Sequence, residues 1–374
     1  MSTFFSLNRF AKVQRLNLAS SIVMAAALVT TLGVASLAHA EDPVKVGFVY
    51  VGPVSDHGWT YRHDLGRQAI EAEFGDQVET TFVESVSEGA DAERVIRNLA
   101  SSDHDLIFTT SFGFMNPTVK VAKDFPDVRF EHATGYKRAD NVSTYAARFY
   151  EGRSVIGTMA GMMTKTNTIG YVASFPIPEV VRGINAFTIA MRRVNPDAEV
   201  KVVWVNSWYD PGKEADAAKA LIDQGADIIT QHTDSPAPLQ VAEERGVFGF
   251  GQASDMASFA PRAQLTSIID DWNDYYVERT RAVIDGTWES QDMWGGIDTG
   301  MVAFPEYSAD VPDDVKAAAE VVREGIVDGS FHSFQGPIFD QDGQEILAEG
   351  EVLDDETLLG MNYYVQGVQG ELPN

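Results

Sequence analysis

Polar and aromatic side chains cluster in the loops that follow predicted strands. The main sets are Ser55-Asp-His-Gly-Trp59, Phe112-Gly-Phe-Met-Asn116, Ser174-Phe-Pro-Ile-Pro178, Asn206-Ser-Trp-Tyr-Asp210, His232-Thr-Asp234 and Gly251-Gln-Ala-Ser-Asp255. Aromatic faces beside a few Asp, Asn and His edges suit a flat heteroaromatic ligand, such as a nucleobase, that stacks and hydrogen-bonds. Sugars also stack on aromatic rings, whereas an anionic solute needs Arg, Lys or a helix N-terminus. The loops therefore predict a small-molecule site.

Several of these residues also have a purely structural interpretation. Asp56 is as suited to capping the helix predicted from Trp59 as to contacting a ligand. Phe112 and Phe114 flank a glycine after a buried strand, so we expect one of them to face the cleft that holds the ligand. Trp208 follows a strand end beside a second aromatic residue, which favours ligand contact. Lone histidines are more often structural, and this applies to His57, His63 and His232.

Enzyme signatures are missing from the sequence. It contains no H-E-x-x-H, G-x-x-x-x-G-K-[ST] or G-x-S-x-G motif. His232, Asp234 and Ser235 lie too close together on one extended loop to form a catalytic triad. The segment from Asp340 to Gly343 is too short for a calcium loop. Cys is absent, so we predict no catalytic residue, no metal and no cofactor.

Short β-rich runs alternate with amphipathic stretches from Val44 onward, which is typical of βαβ units around a parallel sheet. The predicted strands of the first series are Val44 to Val51, Val78 to Val86, Asp105 to Ser111 and Val128 to Thr134. Those of the second series are Thr168 to Ser174, Glu199 to Ser207, Asp227 to His232 and Val247 to Gly251. Two doubly wound lobes explain this order better than one very wide sheet.

The predicted fold class is therefore α/β, with two Rossmann-like lobes whose parallel sheets are joined by a multi-strand hinge. We expect crossings between the lobes near residues 142–149, 264–270 and 295–304. The predicted N-terminal lobe comprises residues 41–148 and about 254–270. The predicted C-terminal lobe comprises residues 149–253 and about 271–305. Residues 306–374 are expected to form a C-terminal helix and a tail that packs on the lobes.

The N-terminal segment predicts export. Arg9, Lys12 and Arg15 precede a largely apolar run from Leu18 to Leu37, followed by Ala38-His39-Ala40. This order is typical of a signal peptide, residues 1–40, with cleavage at the A-x-A site. A membrane anchor is the alternative, but Ser and Thr interrupt the run. Without a Cys to carry a lipid, a periplasmic location is predicted.

Residues 41–374 carry a strongly acidic balance. The first 40 residues contain three basic residues and no acid, which leaves 25 basic and 55 acidic residues, a formal charge of −30. Such a surface repels nucleic acid phosphate and anionic lipid. Nucleic acid is therefore excluded as a partner, and we expect a monomer.

Several blocks spread over this segment resemble one family. They are Val46-Gly-Phe-Val-Tyr-Val-Gly-Pro53, Asp105-Leu-Ile-Phe-Thr-Thr-Ser-Phe-Gly-Phe114, Tyr145-Ala-Ala-Arg-Phe-Tyr-Glu-Gly152, Arg182-Gly-Ile-Asn-Ala-Phe187 and Gly225-Ala-Asp-Ile-Ile229. Together they are similar to the basic membrane protein family of ABC-transporter substrate-binding proteins, which includes purine nucleoside receptors. The resemblance implies a type I periplasmic binding fold and a purine-type ligand in the cleft between the lobes.

The predicted ligand-binding residues combine those that the resemblance implies with His57, Phe114, Arg182 and His232, which are candidates from the loops and sequence blocks themselves. From the first lobe and the crossing helix these are Asp56, His57, Trp59, Phe112, Phe114 and Glu151. From the second lobe and the returning hinge they are Phe175, Arg182, Asn206, Trp208, His232, Asp234, Asp255 and Trp272. Phe112 is expected to stack on the base. The His57-Gly-Trp59 loop departs from the family's Asn- and Ser-containing loop, so a free base and a nucleoside both stay open.

The predicted function is a solute-binding protein that delivers its ligand to an ABC permease in the inner membrane. One alternative is a ligand-presenting sensor subunit for a membrane receptor. Others are a binder of a sugar or another small heteroaromatic solute. An enzyme such as a nucleoside hydrolase is disfavoured because the sequence lacks a clustered acid set or metal motif.

Overall fold

The computed structural model describes residues 42–55 and 57–373. The predicted signal peptide and Asp56 lie outside the described residues. None of the described helices is both long enough and apolar enough to cross a membrane.

The first part of the chain forms a parallel sheet with helices on both faces. Its elements are β1 (Val44–Val49), α1 (Gly58–Phe74), β2 (Val78–Val83), α2 (Ala90–Ala100), β3 (Leu106–Thr109), α3 (Met115–Ala122), β4 (Arg129–Ala133) and β5 (Val142–Ala147). Strands β3 and β5 are almost wholly buried, as expected for strands covered by helices on both sides. Helix α2 is amphipathic, and it buries Val95, Ile96 and Leu99.

A second parallel sheet follows. Its elements are α4 (Phe149–Met163), β6 (Thr168–Ala173), α5 (Pro178–Val194), β7 (Glu199–Trp204), α6 (Pro211–Asp223), β8 (Ile228–His232), α7 (Ala237–Arg245), β9 (Phe248–Gly251) and β10 (Gln264–Ser267). Helix α4 packs tightly on α5 because its interior residues are small. A Cβ atom at Gly157 would lie 2.4 Å from the carbonyl oxygen of Phe187, and one at Gly161 would lie 2.5 Å from that of Met191.

The remaining elements run between the two sheets and into the tail. They are β11 (Ile269–Asp270), α8 (Asn273–Ile284), β12 (Asp292–Gly295), β13 (Val302–Ala303), α9 (Asp313–Asp328), β14 (Ile338–Phe339), β15 (Glu345–Leu347), α10 (Asp355–Leu359) and β16 (Val368–Gln369). The first sheet has the order β12-β5-β4-β3-β1-β2, and the second has the order β10-β9-β8-β6-β7-β16. We call the first sheet with its helices the first lobe, and the second sheet with its helices the second lobe.

Within the described residues, the chain passes between the lobes three times. The first crossing joins β5 to α4, and the second leads from β10 through β11 to α8, which packs on α1. The third joins β12 to β13, and β13 pairs with β11 in an antiparallel ribbon. These crossings match the predicted hinge.

Two segments belong to the opposite lobe from the one that the sequence predicted. Residues 264–267 were assigned to the N-terminal lobe, but β10 pairs with β9 of the second sheet. Residues 271–305 were assigned to the C-terminal lobe, but β12 pairs with β5 of the first sheet. Both assignments were wrong, because strand pairing and not chain order decides the lobe of a returning segment.

The tail is an integral part of the second lobe. Strand β16 pairs with β7 at the edge of the second sheet. The side chain of Asn185 in α5 donates to the carbonyl of Tyr363 at 2.7 Å and accepts from the amide of Val365 at 3.2 Å. Strands β14 and β15 form a hairpin around Asp340 to Gly343.

Candidate functional site

A cavity lies between the lobes, and we call it the central cavity. Its walls come from both lobes: Val51, Trp59, Ser111, Phe112 and Thr134 from the first, and Glu179, Trp208, His232, Asp234 and Gln252 from the second. Eight of these ten residues end or closely follow a parallel strand, and Trp59 and Glu179 lie in the first turns of α1 and α5. Ligands of open α/β sheets bind beyond the carboxyl ends of the strands, so this cavity is the candidate ligand site.

The first-lobe wall of the central cavity is a rigid aromatic surface. The indole Nε1 of Trp59 donates to the carbonyl oxygen of Thr110 at 2.6 Å. Behind it, the fully buried Trp272 meets Trp59 edge to face at 5.6 Å between ring centroids and stacks on His63 at 5.0 Å. Phe112 occupies the turn directly after β3. These contacts fix Trp59 before any ligand enters.

The second-lobe wall also carries aromatic rings. Trp208 lies on the loop after β7, 5.2 Å from the ring of Phe175 and 6.5 Å from that of His232. The backbone N–H of Asp234 donates to the carbonyl oxygen of Trp208 at 3.0 Å. Phe112 and Trp208 therefore contribute one aromatic ring from each lobe to the same cavity.

Hydrogen-bond acceptors line the second-lobe wall. Burial raises the pKa of the Asp234 carboxyl well above its usual range, and the nearby carboxyls of Glu214 and Asp270 raise it further. Burial lowers the pKa of His232, and Glu179, whose Oε1 lies 3.5 Å from His232 Nε2, only partly opposes this. The imidazole is therefore neutral at pH 7. No hydrogen bond from another described residue reaches the Asp234 carboxyl, so it is available to a ligand N–H or O–H group.

A buried acid and a buried arginine lie behind this wall. Asp270 is fully buried, and neither carboxyl oxygen has a hydrogen-bond partner among the described residues. Burial raises the pKa of Asp270 well above its usual range, although Arg62 and Arg153 oppose the shift. Arg153 is also fully buried, and it donates to Thr230 Oγ1 at 3.3 Å and to the side-chain oxygen of Gln252. Through Gln252 this pair is linked to the central cavity.

Two larger spaces adjoin the central cavity. The outer cavity shares Val51 and Trp208 with it and is also lined by Gly52, Pro53, Ser85, Val86, Ser87, Glu88, Phe175, Asn206, Ser207 and Tyr209. The inner cavity shares Phe112, Thr134 and Glu179 with the central cavity. Its other lining residues are mostly apolar and include Tyr136, Ile177, Arg182, Met293, Trp294 and Leu359. The cleft therefore extends on both sides of the central cavity.

The lobes touch each other across this cleft. The backbone N–H of Gly58 in the first lobe donates to Ser254 Oγ in the second lobe at 2.7 Å. The ring of His57 meets that of Phe259 edge to face at 4.8 Å. Contacts of this kind at the cleft define a closed conformation.

The structure distributes the predicted ligand-contacting residues over the central, outer and inner cavities. The central cavity is lined by Trp59, Phe112, Trp208, His232 and Asp234. The outer cavity adds Phe175 and Asn206, and the inner cavity adds Arg182. The guanidinium of Arg182 is largely used within the protein, because Nη1 donates to the carbonyl of Leu358 at 2.6 Å and the group stacks on Trp294.

Five predicted contacts lie away from these cavities. Phe114 is fully buried in the core of the first lobe, and Trp272 is buried behind Trp59. Glu151 turns to the third crossing, where its Oε2 accepts from the amide of Ile297 at 2.8 Å. The exposed Asp255 accepts from Gln264 Nε2 at 2.7 Å. His57 packs on Phe259 at the interlobe contact.

Sequence reasoning missed several residues of the central cavity: Val51, Ser111, Thr134, Glu179 and Gln252. Four of them had a usable signal. Val51, Ser111 and Thr134 stand at the predicted strand ends, and Gln252 stands in the loop for which Asp255 was chosen. Glu179 is in the first turn of α5, a position that a search of strand ends alone passes over.

This arrangement defines a two-lobed solute-binding protein of the type I periplasmic fold, with a ligand cavity between its lobes. Residues 43–329 match the family described as PnrA-like ABC transporter substrate-binding proteins, and the chain belongs to that family. Its members are binding proteins and not enzymes. Within the described residues no group of three or more His, Asp or Glu side chains is placed to hold a metal ion.

Two relatives match almost the whole chain. A purine-binding protein of Brucella abortus is 60% identical over 336 residues, which cover 90% of this chain and 96% of that protein. A protein of Haloferax volcanii, described as a putative ABC transporter glucose-binding protein, is 40% identical over 333 residues, which cover 89% of this chain and 82% of that protein.

Solved structures of more distant proteins share the fold. A solute-binding protein of an ABC transporter system from Aeropyrum pernix superposes with a TM-score of 0.68 at 19% identity and covers 84% of this chain and 95% of its own. One from Conexibacter woesei gives a TM-score of 0.62 at 22% identity, with 77% of this chain and 98% of its own covered. At these identities the likeness concerns the fold alone.

Proposed function

We propose that this protein captures a purine base, free or as its nucleoside, in the periplasm and delivers it to an ABC permease of the inner membrane. The observation that carries the proposal is the composition of the central cavity. Phe112 and Trp208 supply an aromatic ring from each lobe, and Asp234 supplies an acceptor without a partner among the described side chains. A purine has two faces to stack and N–H donors at its edge.

The charges of the site favour a ligand with a neutral or cationic edge over an anionic ligand. Glu179 and Asp234 line the central cavity, and Asp270 lies behind it. The buried Arg153 is engaged by Thr230 and Gln252. Phosphate groups would meet the acidic side chains of Glu179 and Asp234, and no Arg or Lys side chain is among the residues that line the central cavity, so we expect nucleotides to be rejected. The 60% identity to a purine-binding protein supports the same ligand class.

A sugar is the second candidate, because the 40% identical relative is described as a putative glucose-binding protein. Sugars also stack on aromatic rings. They present several hydroxyl groups, however, and many of the groups lining the central cavity are aromatic or apolar. The purine is therefore the better match to this cavity.

Calorimetric titration of the protein from residue 41 onward tests both candidates. The panel contains adenine, hypoxanthine, guanine, adenosine, inosine, adenosine monophosphate, glucose and ribose. The expected result is saturable binding of at least one base or nucleoside and none of the nucleotide. Binding of glucose without any purine would establish the sugar instead. Recovery of the bound purine unaltered after incubation would show capture without turnover.

A further inference from the structure

One side chain connects the two lobes at the mouth of the cleft. Glu88 lies on the first-lobe loop between β2 and α2, and Trp208 lies on the second-lobe loop after β7. Both line the outer cavity, while Trp208 also lines the central cavity. The indole Nε1 of Trp208 donates to Glu88 Oε1 at 3.2 Å. This hydrogen bond joins the two lobes at the outer cavity, beside the central cavity.

The acceptor in this bond is fixed by its own lobe. Glu88 Oε1 also accepts from Ser111 Oγ at 2.6 Å and from the backbone N–H of Gly113 at 3.1 Å. Both donors lie next to Phe112, which lines the central cavity from the first lobe. The carboxylate is therefore held in place from the first lobe, and it needs no rearrangement to receive the indole when the lobes close.

The donor in the bond is a wall of the ligand site. Trp208 contributes to the central cavity, and its ring contacts Phe175 and His232 of the same lobe. A hydrogen bond at Nε1 fixes the rotation of the indole about its side-chain torsions. Opening the cleft must break this bond and release the ring that covers the ligand.

We propose that Glu88 is a positioning residue that latches the closed cleft by holding Trp208 over the ligand. It sets how long a captured solute stays, and it does not contribute to the chemistry that recognises the solute. The proposal rests on the proposed binding function, but it holds for any solute that enters the central cavity.

The latch affects the rate constant for ligand dissociation more than that for association. It forms only as the lobes close, so its loss accelerates dissociation and leaves association nearly unchanged. We expect Glu88→Ala to raise the dissociation rate of adenine about threefold to tenfold, the range that corresponds to one net hydrogen bond. Glu88→Gln retains a side-chain oxygen as an acceptor, so we expect it to recover most of the slow dissociation.

Stopped-flow measurements with adenine as the probe test the latch through a double-mutant cycle. The variants are Glu88→Ala, Glu88→Gln, Trp208→Phe, which removes the indole N–H, and the combined Glu88→Ala and Trp208→Phe variant. Trp208→Phe already lacks the bond, so Glu88→Ala should add little to the dissociation rate in that background. Additive effects, or an unchanged dissociation rate in Glu88→Ala, would overturn the proposal.

Glu84→Ala is the matched control. Glu84 is exposed on the same connection, but its Oε2 accepts from the amide of Val54 at 2.5 Å within the first lobe. The Glu84→Ala substitution removes an acidic side chain that makes no interlobe hydrogen bond. Adenine should therefore dissociate from this variant at the wild-type rate.

A measurement without ligand separates the latch from the purine proposal. Because the chain contains no Cys, spin labels can be attached through Lys123→Cys in the first lobe and Lys219→Cys in the second, both at exposed positions. We expect Glu88→Ala to shift the interlobe distance distribution towards longer distances. A distribution that Glu88→Ala leaves unchanged contradicts the latch, whereas failure of adenine to bind contradicts only the purine assignment.

Discussion

The backbone of Gly58 in the first lobe lies directly against the carbonyl group of Asp234 in the second lobe. A methyl group at position 58 would lie 2.5 Å from that carbonyl oxygen, well inside van der Waals contact. Gly58 also has a positive φ of 79° at the start of α1. The closed cleft therefore has room only for a glycine at this point.

Gly58→Ala should impair closure more than folding. We expect it to weaken adenine binding by about 1–3 kcal/mol, the usual range for overpacking, because the bound state is closed. Gly75→Ala is the control, because Gly75 also has a positive φ, 52°, but open space around it. Calorimetry and chemical denaturation should show backbone strain in both variants and lost affinity only in Gly58→Ala. Equal loss of affinity in the two would contradict the interlobe clash.

Phe112 and Phe114, two residues apart, should respond to substitution in opposite ways. Phe112 lines the central cavity, so Phe112→Ala should weaken adenine binding by about 1–3 kcal/mol, the range for stacking between a base and an aromatic ring. Phe114 is fully buried in the first-lobe core, so Phe114→Ala should lower the free energy of unfolding by about 3–5 kcal/mol. Titration and urea denaturation of both variants test this. Normal affinity in Phe112→Ala would place the base elsewhere.

This pair also shows how far the sequence could resolve the site. The pattern of the loop after β3 predicted that one of the two rings faces the cleft. Which ring does so depends on the turn Phe112–Phe114, whose geometry is set by packing and not by residue type. The same applies to Gln252, which lines the cavity, and Asp255, which binds Gln264 nearby.

The fold was easier to predict from the sequence than the ligand site. Strand β1 was predicted as Val44 to Val51 and runs over Val44–Val49, because a buried parallel strand is a continuous apolar run. The lobe to which each of β10 and β12 belongs could not be predicted in this way. Their sheet partners are set by the three crossings, and a short strand carries no signal that identifies its neighbour.

Asp234 should destabilise the ligand-free protein. Burial and nearby carboxyls raise the pKa of Asp234, so the folded state holds its proton more tightly and stability falls as pH rises above the unfolded value. Asp234→Asn should then raise the free energy of unfolding at pH 7 by about 1–3 kcal/mol, the scale of an unpaired buried polar group. It should also weaken adenine binding, since the amide keeps one acceptor oxygen but replaces the other carboxyl oxygen with an N–H donor. Thermal unfolding of the ligand-free protein and calorimetry measure the two effects.

Asp210→Asn is the control, because its effect on the free energy of unfolding should have the opposite sign. Asp210 caps α6 by accepting from the amide of Lys213 at 3.1 Å, and this hydrogen bond lowers the pKa of Asp210. Its substitution should lower stability at pH 7, and the difference should vanish as pH falls through its pKa. A destabilised Asp234→Asn at pH 7 would show that Asp234 has a stabilising partner in the folded protein.

Glu151 should make the stability of the hinge depend on pH. Burial raises the pKa of Glu151 to about 7, and the hydrogen bond from the amide of Ile297 only partly opposes the shift. The folded state therefore keeps a proton that the unfolded state loses near its ordinary pKa of about 4.5. Stability from this group is complete below the unfolded pKa and is lost as pH rises to about 7.

Glu151→Gln tests this, because the amide retains an oxygen to accept from Ile297 but does not titrate. The difference in unfolding free energy, variant minus wild type, should increase with pH by about 3 kcal/mol across that window, which corresponds to the shift in pKa. Urea denaturation at several pH values measures it. Glu93→Gln should give a flat difference curve above pH 5, since Lys120 lowers the pKa of Glu93. A flat curve for Glu151→Gln would mean that Glu151 is ionised at the third crossing.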